Sequence, residues 1–134
     1  MFHLGEVMDK NKATNLSPVV LAFVGDAVYS LFVRERLTFT KDYKTGVLNE
    51  MATKEVRASA QAEFVKTIEP LFTEEEQNVF KRAKNAKKHT RSKSASIAEY
   101  DLSTGFEAVL GFLYLTGNIK RLNYLLNGGQ EDEG

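Results

Sequence analysis

The stretch SPVVLAFVGDAVYSLFVRERL, residues 17–37, decides how the rest of the chain is read. Ser17 followed by Pro18 supplies an N-cap and a proline at the first helical position, so a helix is expected from here to about Leu37. Its apolar side chains point to nearly every side, which predicts a central helix rather than a surface one. Within residues 19–33 the only Asp, Glu, Lys or Arg is Asp26. A second stretch, LSTGFEAVLGFLYL at 102–115, repeats the arrangement around Glu107. A lone carboxylate in such a helix is expected to be buried, at a cost of several kcal/mol unless a metal or a hydrogen-bonded partner compensates it.

Outward from these two stretches the chain reads as helices throughout. No alternating period-2 run, no Asn-Gly hairpin signal and no internal repeat interrupts the pattern, so the fold class is all-α. Residues 1–14 look weakly structured, and 38–44 form a polar connector. One longer helical region is expected from Thr45 to Glu69, ended by Pro70, with Val47, Met51, Ala58, Ala62 and Val65 as its inner stripe and Lys54, Arg57 and Lys66 outside. Thr73 and Glu76 make a capping-box pattern, and Glu74 to Glu76 suit the start of a helix whose end is basic. A further helix should begin between Ser96 and Ser103 and stop at Gly117, after which Asn118 can cap a short last helix to Asn127, ended by Gly128 and Gly129.

Composition sets the bounds. A chain of 134 residues with 43% hydrophobic and 27% charged residues fits a single domain over 1–134, its core at about 15–127, able to bury a core without staples. Cysteine is absent, which excludes disulfides and thiolate metal sites and suits a reducing cytoplasm. Neither apolar stretch reaches the roughly 20 residues of a membrane span, and Glu6 and Asp9 spoil a signal-peptide order. The expected location is cytoplasmic, with no membrane partner.

The formal charge of zero conceals a polarised molecule. Lys81, Arg82, Lys84, Lys87, Lys88, Arg91 and Lys93 fall together without an acid, leaving 11 positive against 18 negative charges elsewhere. Such a run is either a solvated loop or a surface for a polyanion; beside two sequestered acids, nucleic acid fits better. KKHTRSKSAS, residues 87–96, reads as an exposed mobile loop, and the acidic tail at 131–133 as disordered.

On helical wheels Asp26 shares its face with Ala22, Tyr29 and Ser30 beside Gly25, and Glu107 with Ser103, Thr104, Leu110 and Gly111. Small residues allow two helices to approach closely and the two acids to converge. Two anions in a poorly solvated cleft either share a proton or bind a cation, and oxygen-only ligands favour magnesium or manganese. Each acid alone also has a structural reading: Asp26 after a glycine can cap or kink, and Glu107 can snorkel or sit at a dimer interface. Tyr29 and Tyr114 read as core residues with solvated hydroxyls.

The strings LAFVGDAVYSLFVRERL (21–37) and STGFEAVLGFLYL (103–115) resemble the signature helix and the second acidic motif of the ribonuclease III endonuclease domain. With VRASAQAEF (56–64) and KRAKNAK (81–87), the similarity is to Mini-ribonuclease III, the short branch without a double-stranded RNA-binding domain. The resemblance implies a compact helical domain in which Asp26 and Glu107 hold Mg2+, with Mn2+ able to substitute. It implies hydrolysis of double-stranded RNA to 5′-phosphate ends and short 3′ overhangs, by a homodimer with one site per subunit. It further implies maturation of precursor large-subunit (23S) ribosomal RNA, with possible assistance from a ribosomal protein. Lys81, Arg82, Lys84, Asn85, Lys87, Lys88 and Arg91 are then the RNA contacts. Longer ribonuclease III sequences place acids at the positions of Ala22 and Thr104, a reduction that the short branch shares. A noncatalytic helical RNA-binding or ribosome-associated module is the alternative, and a helical protein-interaction domain a third reading that leaves both acids unexplained.

Overall fold

The computed structural model describes residues 5–40, 42–87 and 96–130. Within them the chain is helical: α1 (Lys10–Thr14), α2 (Pro18–Thr40), α3 (Thr45–Val56), α4 (Ala58–Ile68), a 3₁₀ turn (Glu69–Leu71), α5 (Glu74–Asn85), α6 (Ile97–Leu115) and α7 (Ile119–Leu126). The all-α expectation holds, and the expected N-terminal signals at Thr73 and Asn118 are the ones used. Thr73 and Glu76 exchange both bonds of a capping box, and Asn118 Oδ1 accepts from the Arg121 N–H at 3.3 Å. At the other end of α6, Gly117 takes the left-handed φ of +74° that stops a helix.

The centre belongs to α6 rather than to α2. Residues Phe106, Val109, Leu110, Phe112 and Leu113 of α6 are buried, and α2, α4, α5 and α7 pack around it. The expectation that α2 is enclosed on all sides is corrected: Leu21, Val28 and Val33 face the core, but Phe23 is 79% exposed and Val19, Val20 and Leu31 are exposed with it. An uncovered apolar strip of this kind on a helix marks a contact surface.

Three further expectations change. Of the residues 1–14 expected to be weakly structured, 8–14 are not: Asp9 caps α1 by accepting from Asn11 and Lys12, Ala13 is fully buried, and the Met8 N–H bonds the Leu115 carbonyl at 2.8 Å. Helix α2 runs past Leu37 to Thr40, shortening the connector. The single helix over 45–69 is two helices, because Arg57 is extended at ψ 154°. That break lets α3 lie on α2 while α4 lies on α6, which one straight helix could not do. It also rotates the inner stripe, so that Ala52 is the buried residue of α3 while Val47 is exposed.

Glu76 does more than cap α5. Its buried carboxylate also takes both the Nε and an Nη of Arg121 at 2.8 Å, and the same guanidinium reaches the Leu71 carbonyl. The bidentate pair ties α7 and the 3₁₀ turn to the start of α5.

Candidate active site

The α2–α6 crossing is built by two glycines facing opposite ways. A Cβ on Gly25 would stand 1.6 Å from the Glu107 carbonyl oxygen, and one on Gly111 2.0 Å from the Leu21 carbonyl oxygen. Each glycine is therefore pressed against the other helix's backbone, and no side chain fits at either position. Asp26 directly follows Gly25, and Glu107 is the residue whose backbone Gly25 meets, so backbone contact carries Asp26 and Glu107 together. The two carboxyls come close enough for Asp26 to act on the ionisation of Glu107.

The two acids are unequal. The expectation that both are buried is corrected for Asp26, which is exposed on α2, whereas Glu107 is largely enclosed. Asp26 lies on the uncovered side of α2; Glu107 emerges from the core helix. Burial pushes the Glu107 carboxyl up to about 9; the hydrogen bond and the charge of Asp26 add to this, and the Gln61 amide opposes it. Without a cation Glu107 therefore keeps its proton at neutral pH.

This arrangement has a consequence for stability. The unfolded chain releases the Glu107 proton near 4.5, but the folded chain keeps it to about 9. The folded state binds the extra proton across that window, so metal-free stability is fullest below 4.5 and falls as pH rises towards 9. The expected result is that Tm without metal declines across this interval relative to Glu107→Gln, and that the two proteins converge at low pH. Parallel melting profiles would show that the carboxyl is not buried against Asp26.

Behind Glu107 stands Gln61 of α4, 2% exposed. Its Nε2 donates to the Val56 carbonyl at 2.7 Å and to Glu107 Oε2 at 3.3 Å. This contact was not foreseen, although a signal existed: between Ala58 and Val65 the inner stripe of α4 carries one long polar side chain, at position 61. Tyr29 is a core residue as expected, set edge-on to Phe106 with centroids 5.1 Å apart, and Phe106 meets Phe64 of α4 in the same way at 5.6 Å. These rings hold α2 and α4 against α6 on either side of the acids. Ala22 and Thr104, the positions that lack acids, are both buried, and the Thr104 hydroxyl donates to the Tyr100 carbonyl.

The basic segment is partly committed to the fold. Lys81, Asn85 and Lys87 are exposed at the end of α5 and just beyond it. Arg82 instead donates to the Thr14 carbonyl at 2.8 Å, and Lys84 Nζ lies 5.6 Å from the Phe80 ring centroid. Lys88 and Arg91 fall outside the described residues, as do the rest of 88–95 and the acidic tail; Ser96, the last residue of the expected loop, caps α6 instead.

Among the described residues no group of three or more His, Cys, Asp or Glu gathers at one place. A cation held here has two carboxylates from the chain, and the remaining ligands come from water or substrate. The donor set still fits: two carboxyls drawn to one crossing, one exposed and one largely enclosed, offer the hard oxygen ligands that a divalent ion takes. Among the described residues no helix is long and apolar enough to cross a membrane.

The model of the ribonuclease III domain matches residues 19–118. Mini-ribonuclease 3 of Thermoanaerobacter sp. is 44% identical over 90% of this chain and 85% of its own length. Mini-ribonuclease 3 of Streptococcus pneumoniae is 41% identical over 84% of this chain and 89% of its own. A crystal structure of a Fusobacterium nucleatum protein covers 84% of this chain and 90% of its own at a TM-score of 0.75 and 32% identity.

Proposed function

The chain belongs to the ribonuclease III family, in its Mini-ribonuclease 3 branch, and from that premise we propose that it is a magnesium-dependent enzyme whose Asp26 and Glu107 hold the ion for hydrolysis of double-stranded RNA. That it is an endoribonuclease acting on double-stranded RNA follows from the family. The observation that carries the site is the glycine crossing, where Gly25 meets the Glu107 backbone and brings two interacting carboxyls together, one open to solvent and one rising from the core.

A divalent ion bound there supplies Lewis-acid activation of water and stabilisation of charge building on the phosphate. Asp26 and Glu107 would hold the ion as negative ligands, and Glu107 would have to give up its proton to do so. Their fixed backbones hold the carboxylates at one spacing, while the exposure of Asp26 leaves room for a broad substrate. Attack of water on phosphorus with departure of the 3′ oxygen leaves a 5′-phosphate and a 3′-hydroxyl. The chemistry uses no covalent enzyme nucleophile.

Lys81, Lys84, Lys87 and Asn85, with Lys88 and Arg91, are proposed to contact the duplex through its backbone and shape. Arg82 has its Thr14 bond to surrender first, so its share is the smallest. The uncovered strip of α2 around Phe23 supports a homodimer whose two sites cut opposite strands and leave short 3′ overhangs. Sedimentation at micromolar concentration should give one species of twice the chain's mass, and Phe23→Glu should halve it. A monomer before substitution would remove the dimer from the proposal. The resemblance extends the reading to precursor 23S ribosomal RNA as the natural substrate, with a ribosomal protein assisting.

Incubation with long duplex RNA tests the activity itself. Magnesium should yield short fragments with 5′-phosphate ends, and a chelator should yield none. Metal-independent binding without cut products would instead favour a noncatalytic RNA-binding module.

A further inference from the structure

Gln61 is an uneconomical core residue unless its amide has a task. It is 2% exposed on the inner face of α4, and its Oε1 is buried without a hydrogen-bond partner. An unsatisfied buried acceptor costs stability that a methionine or leucine of similar size would not. Only the donor half of the amide is used, and Nε2 divides its two protons between the Val56 carbonyl at 2.7 Å and Glu107 Oε2 at 3.3 Å.

The Val56 carbonyl is available because the chain turns extended at Arg57, with neither proline nor glycine to force the break. The break therefore fixes one proton of Gln61 and aims the other at Glu107. Asp26, by contrast, is exposed.

We propose that Gln61 is a positioning residue for the metal site: anchored on the Val56 carbonyl, it holds the Glu107 carboxylate in the orientation that accepts the divalent ion. The inference rests on the reading of Asp26 and Glu107 as the ion's ligands. Hydrogen-bonded partners behind a ligand orient it, and losing one typically weakens metal binding or activity about 10- to 100-fold.

The test uses the full chain with Gln61→Met and manganese as the probe, free Mn2+ being followed by its paramagnetic resonance signal. The expected result is a Kd for Mn2+ about 10- to 100-fold weaker, KM for duplex RNA unchanged, and a reduced kcat that partly recovers at high metal concentration. If Gln61 serves only to hold the helix break, Tm falls while the folded protein binds Mn2+ as before, and the proposal is overturned. A second measurement needs no substitution at Gln61: its side-chain amide proton resonance should move when Mg2+ is added, and should not move in Glu107→Gln. An amide indifferent to Mg2+ also overturns it.

Glu107→Gln separates the two levels of argument. Unaltered Mn2+ binding and cleavage in that variant would remove the ligand reading and the positioning role together. Loss there, with Gln61→Met behaving like the parent, would remove the positioning role alone.

Discussion

Asp26→Asn is expected to bind duplex RNA with unchanged affinity and to cut it about 10³-fold more slowly, the equivalent of roughly 4 kcal/mol at 1.36 kcal/mol per decade of rate. The substitution preserves shape and removes one formal charge from a site that, among the described residues, has two carboxylates and no third to replace it. Because Asp26 is exposed, its amide creates no buried polar defect, so the fold should be unaffected and the loss confined to the chemical step. Single-turnover cleavage in magnesium alongside a binding isotherm measures both quantities. Full cleavage by Asp26→Asn would remove the aspartate from the site. The converse variant is Lys81→Ala, Lys84→Ala and Lys87→Ala combined, in which binding weakens and its salt dependence flattens because fewer counterions are released, while bound RNA is still cut. The two variants thus divide binding from chemistry.

Gly25→Ala is expected to be the most damaging single methyl group that can be added to this chain. The new Cβ meets a carbonyl oxygen at 1.6 Å, and that oxygen belongs to the backbone of a fully packed helix rather than to a side chain that could rotate. Relief requires α2 and α6 to separate along the contact that organises the core. Overpacking commonly costs 1–3 kcal/mol, and a backbone-to-backbone clash belongs above that range, at about 4 kcal/mol or more. For a chain of this size that is a fall in Tm of roughly 10 °C or more. Activity should fall with it even below the new Tm, because the acids move apart as the helices do. Thermal melting and cleavage at a temperature where the variant is still folded measure the two effects. An unchanged Tm would mean that the crossing is looser than the contact distances imply.

The helices and the acid pair were legible in the sequence for the same reason. Capping signals at Thr73 and Asn118, the glycine at 117 and the small residues around positions 26 and 107 are local, and local chemistry decides them. The bend at Arg57 was not legible. No proline or glycine marks it, and its cause lies in two different neighbours, α2 for one half of the helix and α6 for the other. The exposure of Asp26 was missed because an apolar helix looks the same whether its last face is covered by its own chain or left bare. Gln61 was passed over because its meaning depends on that unseen bend. Glu107 is part-buried, and most residues flanking it on α6 are buried, which the apolar run around it makes legible.

The reciprocal glycine contact also governs how the enzyme fails. In the parent chain, two main chains already touching leave the cleft little room to loosen while the rest of the molecule stays intact. Its heat inactivation is therefore expected to coincide with loss of the fold. Any change that hardens the α2–α6 core hardens the catalytic geometry with it.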